Sequence, residues 1–266
     1  MDTNYLTLRE IQLEEIKIAK AIHELCEENH IVYYLAYGSL LGAVRHKGFI
    51  PWDDDMDLCM PREDYDKFCR SFRHDDFIIK YCANGSLHAP FAKVCNPKIQ
   101  VNCERLGDSD NSQLWVDIFP VDGVPHNERE RNRYFKKNLW MMKKLMFRRS
   151  PYVNSHNFIK NFLKRIVFSF YNVLPADYDV KLSKKMEKLA RSQPLECSEF
   201  FALSWEERVY PIKLNDKRVL YPFEKESFYS WADADQILKI GYGDYMQLPP
   251  EDKRGGHYMK AFYTDE

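Results

Sequence analysis

The sequence predicts an α/β (α+β) protein in which a mixed sheet is flanked by helices. Residues 8–29 carry apolar side chains at helical spacing and lead into an aromatic-rich run at 31–37 that is typical of a buried strand. Further short apolar runs predict strands at 77–82, 91–95, 99–103 and 114–119. The 266 residues, 45% of them hydrophobic, suffice for one large domain or for a core domain with an embedded helical part.

The remaining elements divide the chain into three predicted parts. A short helix and an acidic strand are expected within 39–60, and the other predicted helices cover 62–72, 180–192 and 233–240. Apart from the helix at 233–240, the last seventy residues are predicted to be irregular. The predicted parts are a core at 1–125, a basic amphipathic helical region inserted at 126–195, and a segment at 196–266 that packs back on the core.

The most informative part of the sequence joins a Gly-Ser turn to a carboxylate cluster within residues 34–61. Gly38 ends the predicted strand, and Ser39 is placed to cap a helix over 40–45. A strand, a tight turn and a helix N-terminus together present backbone N–H groups and a hydroxyl that suit a phosphate. Gly38 also allows the backbone to approach a ligand closely.

Four aspartates lie downstream of this turn, within the five residues 53–57. Side chains alternate in an extended segment, so Asp53, Asp55 and Asp57 are expected on one face and Asp54 on the other. Carboxylates this close repel one another unless a cation is present, and such oxygen ligands favour Mg²⁺, with Mn²⁺ as the alternative. A solvated acidic turn is the competing interpretation, and the Gly-Ser turn upstream favours the metal site.

Three segments resemble, in order, the sequence blocks of one protein family. Residues 40–58 read LLGAVRHKGFIPWDDDMDL, which resembles the signature of the LicD family of phosphocholine transferases and relatives, including fukutin-related protein. Residues 116–123, VDIFPVDG, are similar to its second block. Residues 242–250 with Arg254 and His257 are similar to its C-terminal block. The resemblance implies a nucleotidyltransferase-like fold.

The resemblance also implies the catalytic residues. In the superfamily a Gly-Ser turn precedes an acidic pair and a further acidic residue on a later strand, which here are Asp55, Asp57 and Asp117. These three are the predicted catalytic residues and the predicted ligands of Mg²⁺. Asp117 either completes the metal site or accepts the proton of the acceptor hydroxyl, and the resemblance does not decide between these roles. Asp53 is a secondary member of the set.

Further residues are predicted to bind substrate. Arg45 is the preferred phosphate ligand because a guanidinium can hold two oxygens at once, whereas His46 is either structural or in contact with substrate. Rings that could surround a quaternary ammonium group belong to Trp52, Trp115, Tyr37 and Tyr242. The candidates that reach the site from distant parts of the sequence are Lys93, Arg254 and His257.

The family resemblance implies a CDP-linked alcohol as donor, with CMP as the leaving group. The first interpretation is transfer of phosphocholine from CDP-choline to a lipid-linked glycan precursor of the teichoic acid or lipopolysaccharide type. The second keeps the chemistry with another CDP-alcohol, carrying ribitol, glycerol or ethanolamine. The third is a nucleotidyltransferase, and the fourth is a non-catalytic membrane-associated binding protein. The complete acidic set argues against the fourth.

A strongly basic segment lies in the second half of the chain. Residues 129–170 contain twelve Lys or Arg and one acid, Glu130, although the whole chain has a net charge of −1. Within it, residues 158–170 have apolar and aromatic side chains at helical spacing, which suits either an anionic membrane surface or packing on the protein itself. The lipid-linked acceptors of the family favour the membrane. Because no nucleic-acid-binding motif accompanies the charge, nucleic acid is not an expected partner.

Composition excludes several other classes. No apolar run approaches the length of a membrane span, and the acidic N-terminus does not resemble a secretory signal. The predicted location is therefore cytoplasmic, with peripheral attachment to the inner face of the membrane left open. The seven cysteines include no CxxC pair, so neither a disulfide framework nor a zinc knuckle is expected. Cys59 is expected to be a small apolar core residue.

Overall fold

The computed structural model describes residues 4–87, 89–102, 112–149, 169, 174–175, 177–203, 207–215, 217–256 and 259–264. Its α-helices are α1 Leu8–Glu28, α2 Tyr37–Arg45, α3 Arg62–Ser71, α4 Glu128–Arg149, α5 Tyr178–Ala190 and α6 Ala234–Tyr242. Its strands are β1 Tyr34–Leu35, β2 Asp57–Pro61, β3 Ile78–Lys80, β4 Ala92–Asn102, β5 Ser112–Val124, β6 Phe200–Leu203, β7 Tyr210–Pro211, β8 Arg218–Phe223, β9 Glu226–Trp231 and β10 Lys260–Tyr263.

The core is a mixed sheet with the strand order β1-β2-β5-β4-β10. β2 and β5 are parallel, whereas β1 with β2, β4 with β5 and β10 with β4 are antiparallel. β3 pairs with β4, β6 extends the sheet from the end of β5, and β7 pairs with β6. Helices flank this sheet, and β8 and β9 form a separate hairpin. The predicted fold class, a mixed sheet flanked by helices, is confirmed.

β5 is the central strand because it changes partners along its length. Residues 112–118 pair with β4, residues 117–121 pair with β2, and residues 121–124 pair with β6. Asp117 therefore lies where β5 is hydrogen-bonded on both sides, opposite Asp57 of β2 and Lys93 of β4. A side chain at this position is held by the backbone of three strands.

α1 begins at a complete capping box. The Thr7 hydroxyl accepts a hydrogen bond from the Glu10 amide, and the Glu10 carboxylate accepts one from the Thr7 amide. The helix then buries Ile11, Ile18 and Ile22 on one face, as the helical spacing of the sequence predicts. This packing fixes α1 against the sheet.

Two predictions of secondary structure were wrong. The strands expected at 91–95 and 99–103 form one strand, β4, whose register shifts between Asn96 and Gln100. Pro97 lies in that interval, and because proline has no N–H, it interrupts the ladder without ending the strand. The C-terminal part is not irregular, since β6 to β10 lie within it. β6 and β10 are short and pair with β5 and β4, which are far away in the sequence, so local pattern does not reveal them, whereas the β8–β9 hairpin is local and was missed.

The basic region is described in part. α4 packs on α5 through an apolar cluster that consists of Met141, Met142, Leu145, Leu182 and Met186. The amphipathic helix expected at 158–170 lies outside the described residues, apart from Ser169. Among the residues that the structure describes, no helix combines the length and the apolar composition needed to cross a bilayer. Cys59 is buried, as predicted for a small apolar core residue, and the thiols of the described cysteines are free.

A buried ion pair joins the start of α3 to the end of β5. Arg62 Nε donates to Asp122 Oδ1 at 2.7 Å, and Arg62 Nη2 lies 2.5 Å from Asp122 Oδ2. Only 11% and 5% of the two side chains are exposed. A partly exposed pair between Arg191 and Asp66 has the same two-bond geometry.

These two pairs give a matched test of burial. Asp122→Ala leaves the buried Arg62 without its partner, so we expect the free energy of unfolding to fall by about 3–5 kcal/mol. Asp66→Ala breaks the more exposed pair and is expected to cost less than about 1 kcal/mol. Urea unfolding measures both, and equal losses would contradict a structural role specific to the buried pair.

Candidate active site

The Gly-Ser turn is built into the first turn of α2. This helix begins at Tyr37 and its N-cap is Ala36, which makes no side-chain capping bond. The prediction that Ser39 caps the helix was therefore wrong. Ser39 is buried, and its hydroxyl accepts a hydrogen bond from the Asp57 amide at 2.8 Å. Ser39 thus fixes the start of α2 to the start of β2, because their hydrogen bond joins the two elements.

Gly38 leaves space for the carboxylate of Asp53. A Cβ atom on Gly38 would lie 2.6 Å from Asp53 Oδ2, closer than any real contact. Asp53 is therefore seated at the N-terminus of α2, where the helix dipole favours a negative charge. Tyr37, the residue before this glycine, has φ of 43°, in the left-handed region that a bulky side chain rarely adopts. The turn is a strained feature directly beside the aspartates.

The aspartates that precede β2 are clustered. Asp53, Asp54 and Asp55 each offer a carboxylate oxygen, and these oxygens lie within 4.8 Å of one another. Because β2 begins only at Asp57, the alternation of faces expected for residues 53–57 does not hold over the first three. Asp54 also accepts a hydrogen bond from the Met259 amide at 2.9 Å. It therefore connects the cluster to the C-terminal segment.

Asp57 and Asp117 come together through the sheet. They are directly paired in the parallel β2–β5 ladder, next to a hydrogen bond from the Asp117 amide to the Met56 carbonyl at 3.0 Å. Burial raises the pKa of Asp57, the charges of Asp55 and Asp117 raise it further, and Lys93 opposes them. Carboxylates from two distant parts of the sequence thus share one region of negative potential.

Two neighbours hold Asp117. The Trp115 indole N–H donates to Asp117 Oδ2 at 2.9 Å, and Lys93 Nζ lies 3.4 Å from Oδ1. Lys93 Nζ also sits 3.5 Å from the centroid of the Trp115 ring. Sequence reasoning considered Trp115 only as a ring for an ammonium group. The signal for its second role is the two-residue spacing from Asp117, which puts both side chains on one face of a strand.

A second set of predicted residues links this region to the C-terminal block. Arg45 Nη1 donates to the Tyr245 carbonyl at 2.7 Å, and Arg45 Nε donates to His46 Nε2 at 2.9 Å. Burial lowers the pKa of His46, and the charge of Arg45 lowers it further. Arg254 lies over the Trp52 ring at 5.2 Å. The substrate-binding roles of these residues stay predictions, and His257 lies outside the described residues.

Sequence reasoning missed Glu15. This residue of α1 is fully buried, and neither of its carboxylate oxygens has a hydrogen-bond partner. Burial raises its pKa, and the charges of Asp55, Asp54, Asp53 and Asp57 raise it further. A signal was present, because position 15 falls on the same helical face as Ile11, Ile18 and Ile22, where a carboxylate is unusual.

The donor set suits a hard divalent cation. Its members are carboxylates, which Mg²⁺ and Mn²⁺ accept, and Oδ1 of Asp117 is buried without a hydrogen-bond partner among the described residues. The predicted ligands are Asp55, Asp57 and Asp117, whereas the tightest group of oxygens belongs to Asp53, Asp54 and Asp55. Asp54 accepts a backbone hydrogen bond from Met259, and the charges of Asp55 and Asp53 act on Asp57.

Comparison with known proteins agrees with this geometry. Residues 30–173 match the family described as LicD/FKTN/FKRP, nucleotidyltransferase domain. The chain belongs to the LicD family. The matched range contains the Gly-Ser turn, the four aspartates and Asp117. The resemblance found in the sequence is thereby confirmed.

Individual relatives match this LicD-family chain over different lengths. Lipopolysaccharide cholinephosphotransferase LicD of Haemophilus influenzae is 28% identical, over 97% of this chain and 98% of that protein. Ribitol 5-phosphate transferase FKRP of mouse is 30% identical, over 46% of this chain and 22% of its own length. The human FKRP is 29% identical over the same shares. The bacterial relative therefore corresponds to the chain almost end to end.

The contact between Trp115 and Asp117 can be tested without a substrate. Trp115→Phe keeps the ring but removes the N–H, so we expect the affinity for Mn²⁺ to fall at least about tenfold, as when a residue that orients a metal ligand is lost. Isothermal titration with Mn²⁺ measures the change, and Trp140→Phe on the exposed side of α4 is the control. An unchanged affinity in Trp115→Phe would show that this hydrogen bond does not orient a cation ligand.

Proposed function

We propose that this protein is a Mg²⁺-dependent phospho-alcohol transferase that moves phosphocholine from CDP-choline to a hydroxyl of a cell-surface glycan precursor and releases CMP. The observation that carries the proposal is the pairing of Asp57 with Asp117 beside the turn at Gly38 and Ser39. The end-to-end match to a cholinephosphotransferase supports phosphocholine as the cargo. The partial match to ribitol 5-phosphate transferases keeps another CDP-alcohol, such as one of ribitol, glycerol or ethanolamine, as the alternative.

The aspartates would hold the cation. Asp55, Asp57 and Asp117 are the proposed ligands, with Asp53 beside them. Bound there, Mg²⁺ would screen the negative charge of the donor diphosphate. Mn²⁺, with the same preference for carboxylate oxygens, is the proposed substitute.

The turn and two arginines would bind the phosphates. The Ser39 hydroxyl and the amides at the N-terminus of α2 would donate to phosphate oxygens once the Asp53 carboxylate, which lies against Gly38, turns to the cation. Arg254 lies over Trp52, which precedes Asp53 in the sequence, whereas Arg45 lies at the C-terminal end of α2 and would reach only a phosphate that extends towards that end. Their guanidinium groups supply the positive charge that a diphosphate needs.

Asp117 is suited to receive the proton of the acceptor. In the transfer step the acceptor oxygen forms a bond to the phosphorus of the phospho-alcohol, and the bond from this phosphorus to the CMP oxygen breaks. The acceptor O–H proton passes to a carboxylate, and Asp117 takes this role in the alternative in which Asp55 and Asp57, with Asp53, hold the cation without it. Trp115 and Lys93 fix the orientation of this carboxylate, and orientation is a requirement of general base catalysis.

Aromatic faces near the site already contact cations of the protein. Lys93 covers Trp115 and Arg254 covers Trp52. Tyr37 packs edge-on against Phe119, at 5.3 Å between ring centroids. We propose that the choline ammonium uses the same type of contact, with Trp52, which precedes Asp53 in the sequence, as the candidate ring.

We also propose that the protein acts in the cytoplasm at an anionic membrane surface, where a lipid-linked acceptor would be found. One side of α4 is basic and exposed, and its exposed residues include Arg133, Lys136, Lys137, Trp140 and Lys143. Trp140 is 54% exposed, and Lys144 Nζ lies 3.4 Å from its ring centroid. Tryptophan beside lysine suits the interface between lipid headgroups and water.

The transfer reaction can be assayed directly. Purified protein with Mg²⁺, labelled CDP-choline and glycan acceptors is expected to release CMP and to place the label on the glycan. Asp57→Asn removes a proposed ligand and is expected to lower CMP release by more than about 100-fold, whereas Asp75→Asn at an exposed position of the chain is the control.

The other possible outcomes of this assay would support a different function. Turnover only with a different CDP-alcohol would select the alternative cargo, and nucleotide on the acceptor would make the protein a nucleotidyltransferase. Donor binding without turnover would contradict catalysis altogether.

The membrane surface has its own test. In liposome flotation the protein is expected to float with anionic vesicles and to stay in the soluble fraction with neutral ones, because each Lys or Arg near an anionic surface contributes about 1 kcal/mol. Exchanging Lys136, Lys137 and Lys143 together for Gln is expected to abolish flotation, and exchanging Lys181, Lys184 and Lys185 of α5 serves as a control of equal charge. Equal recovery in the soluble fraction with both vesicle types would refute the proposal.

A further inference from the structure

A chain of hydrogen bonds runs from the tip of the β8–β9 hairpin to the backbone of Asp53. Arg9 donates twice to the Glu224 carboxylate, from Nη1 to Oε1 at 3.0 Å and from Nη2 to Oε2 at 2.8 Å. Arg9 Nη1 also donates to Gln12 Oε1 at 3.2 Å. Gln12 then donates from Nε2 to the Asp53 carbonyl at 2.9 Å. Three side chains thus connect the hairpin and α1 to the first of the clustered aspartates.

Gln12 is the buried member of this chain. Only 5% of the residue is exposed, and a buried amide is costly unless its hydrogen bonds are made. Because a guanidinium only donates and a carbonyl only accepts, the two contacts fix which end of the Gln12 amide faces which partner. The Asp53 amide in turn donates to the Ile50 carbonyl at 2.9 Å. The backbone of Asp53 is therefore held at both its N–H and its C=O, and its side chain leaves the backbone between these two bonds.

The tip of the hairpin is held against the segment that leads to Asp53. Glu224 is the first residue of the two-residue turn between β8 and β9, and its φ of 57° is a left-handed value that is unfavourable for a residue other than glycine. Its amide donates to the Lys47 carbonyl at 2.7 Å, and a Cβ atom on Gly48 would lie 2.5 Å from Glu224 Oε1. The hydrogen bonds from Arg9 lower the pKa of Glu224, and the charge of Arg9 lowers it further, so this carboxylate is ionised. The tip is thus fixed between Arg9 and the segment at 47–48.

A second ion pair between α1 and the hairpin provides a comparison. Lys20 Nζ lies 3.2 Å from Glu226 Oε1, and the two side chains are 50% and 32% exposed. Arg9 and Glu224 are exposed to a similar extent, at 50% and 26%, and ion pairs with this exposure contribute little to stability. The Arg9 pair differs because it continues through Gln12 to Asp53. Comparing the two pairs therefore separates docking of the hairpin from positioning of Asp53.

We propose that Gln12 is a positioning residue of the cation site that fixes the backbone of Asp53, and that Arg9, held by Glu224, orients the Gln12 amide. A ligand that is fixed in advance binds a cation more tightly, because less conformational freedom is lost on binding. The inference rests on the cation of the proposed function and adds α1 and the hairpin to its site. It does not depend on which alcohol is transferred.

The test uses the full-length protein and Mn²⁺ without any substrate. Gln12→Met keeps the length of the side chain and removes both hydrogen bonds, so we expect the dissociation constant for Mn²⁺ in isothermal titration to rise about fivefold, the effect of one ordinary hydrogen bond. Arg9→Met leaves the Gln12 amide without its orienting partner, and a smaller rise of about threefold is expected. Loss of a positive charge by itself favours cation binding, so weaker binding in Arg9→Met cannot be an effect of charge.

The double variant tests the order of the chain. Because Arg9 acts through Gln12, the variant with both substitutions is expected to bind Mn²⁺ as weakly as Gln12→Met alone. Lys20→Met breaks the comparison pair and is expected to leave Mn²⁺ binding unchanged. If Gln12→Met does not fold, Arg9→Met at its more exposed position carries the test.

A second measurement needs no cation. In hydrogen exchange of the metal-free protein, the peptide that contains residues 47–53 is expected to exchange about fivefold faster in Gln12→Met than in the natural protein. Lys20→Met should leave this exchange unchanged. Faster exchange together with an unchanged dissociation constant for Mn²⁺ would make Gln12 a structural residue only and refute the positioning role.

The outcomes separate this inference from the proposed function. If the natural protein binds Mn²⁺ and releases CMP from CDP-choline but Gln12→Met and Arg9→Met bind Mn²⁺ equally well, the positioning role is refuted and the function stands. An equal loss of affinity in Lys20→Met would also refute it, since docking of the hairpin would be the cause. If the variants weaken Mn²⁺ binding as expected but no CDP-alcohol is turned over, the inference stands and the function is wrong. If the natural protein does not bind Mn²⁺, both are wrong.

Discussion

The parallel pairing of β2 with β5 is the constraint on which the site depends. It places Asp57 beside Asp117, although sixty positions separate them in the sequence. Parallel strands need a crossover connection, and here α3, β3 and β4 lie within it. β4 returns antiparallel on the other side of β5 and brings Lys93 to Asp117. The same ladder that concentrates negative charge thus also supplies one positive group against it.

The parts of the chain after β5 complete the site from a distance. β10 pairs with β4, the Met259 amide donates to Asp54, and the Tyr245 carbonyl accepts from Arg45. The β8–β9 hairpin contributes as well, since Glu224 in its turn forms an ion pair with Arg9 of α1 and its amide donates to the Lys47 carbonyl. These contacts fix the segment between α2 and β2 from several sides, which is why its carboxylates can be held close together.

Family membership bears on the chemistry of the proposed reaction, whereas the geometry around the site bears on the choice of alcohol. The LicD-family match covers the turn and the aspartates, and these residues account for phosphate and cation binding in the proposed reaction. In the proposed reaction the choice of alcohol would depend instead on side chains around Trp52 and Arg254, where the C-terminal block meets the motif. A fold can keep one phosphoryl chemistry while such neighbours change, because specificity is a difference between affinities for competing ligands.

The sequence by itself determined the elements with strong local patterns, α1 and α3 among them, and it identified the turn and the aspartates, because their chemistry is visible in neighbouring residues. Only the tertiary structure decided that α2 begins at Tyr37, that β4 is continuous through Pro97, that Trp115 donates to Asp117, and that Glu15 is buried. The physical reason is that hydrogen-bond partners and burial depend on segments far apart in the chain. Their meeting is set by the fold as a whole and not by the residues at either end of the contact.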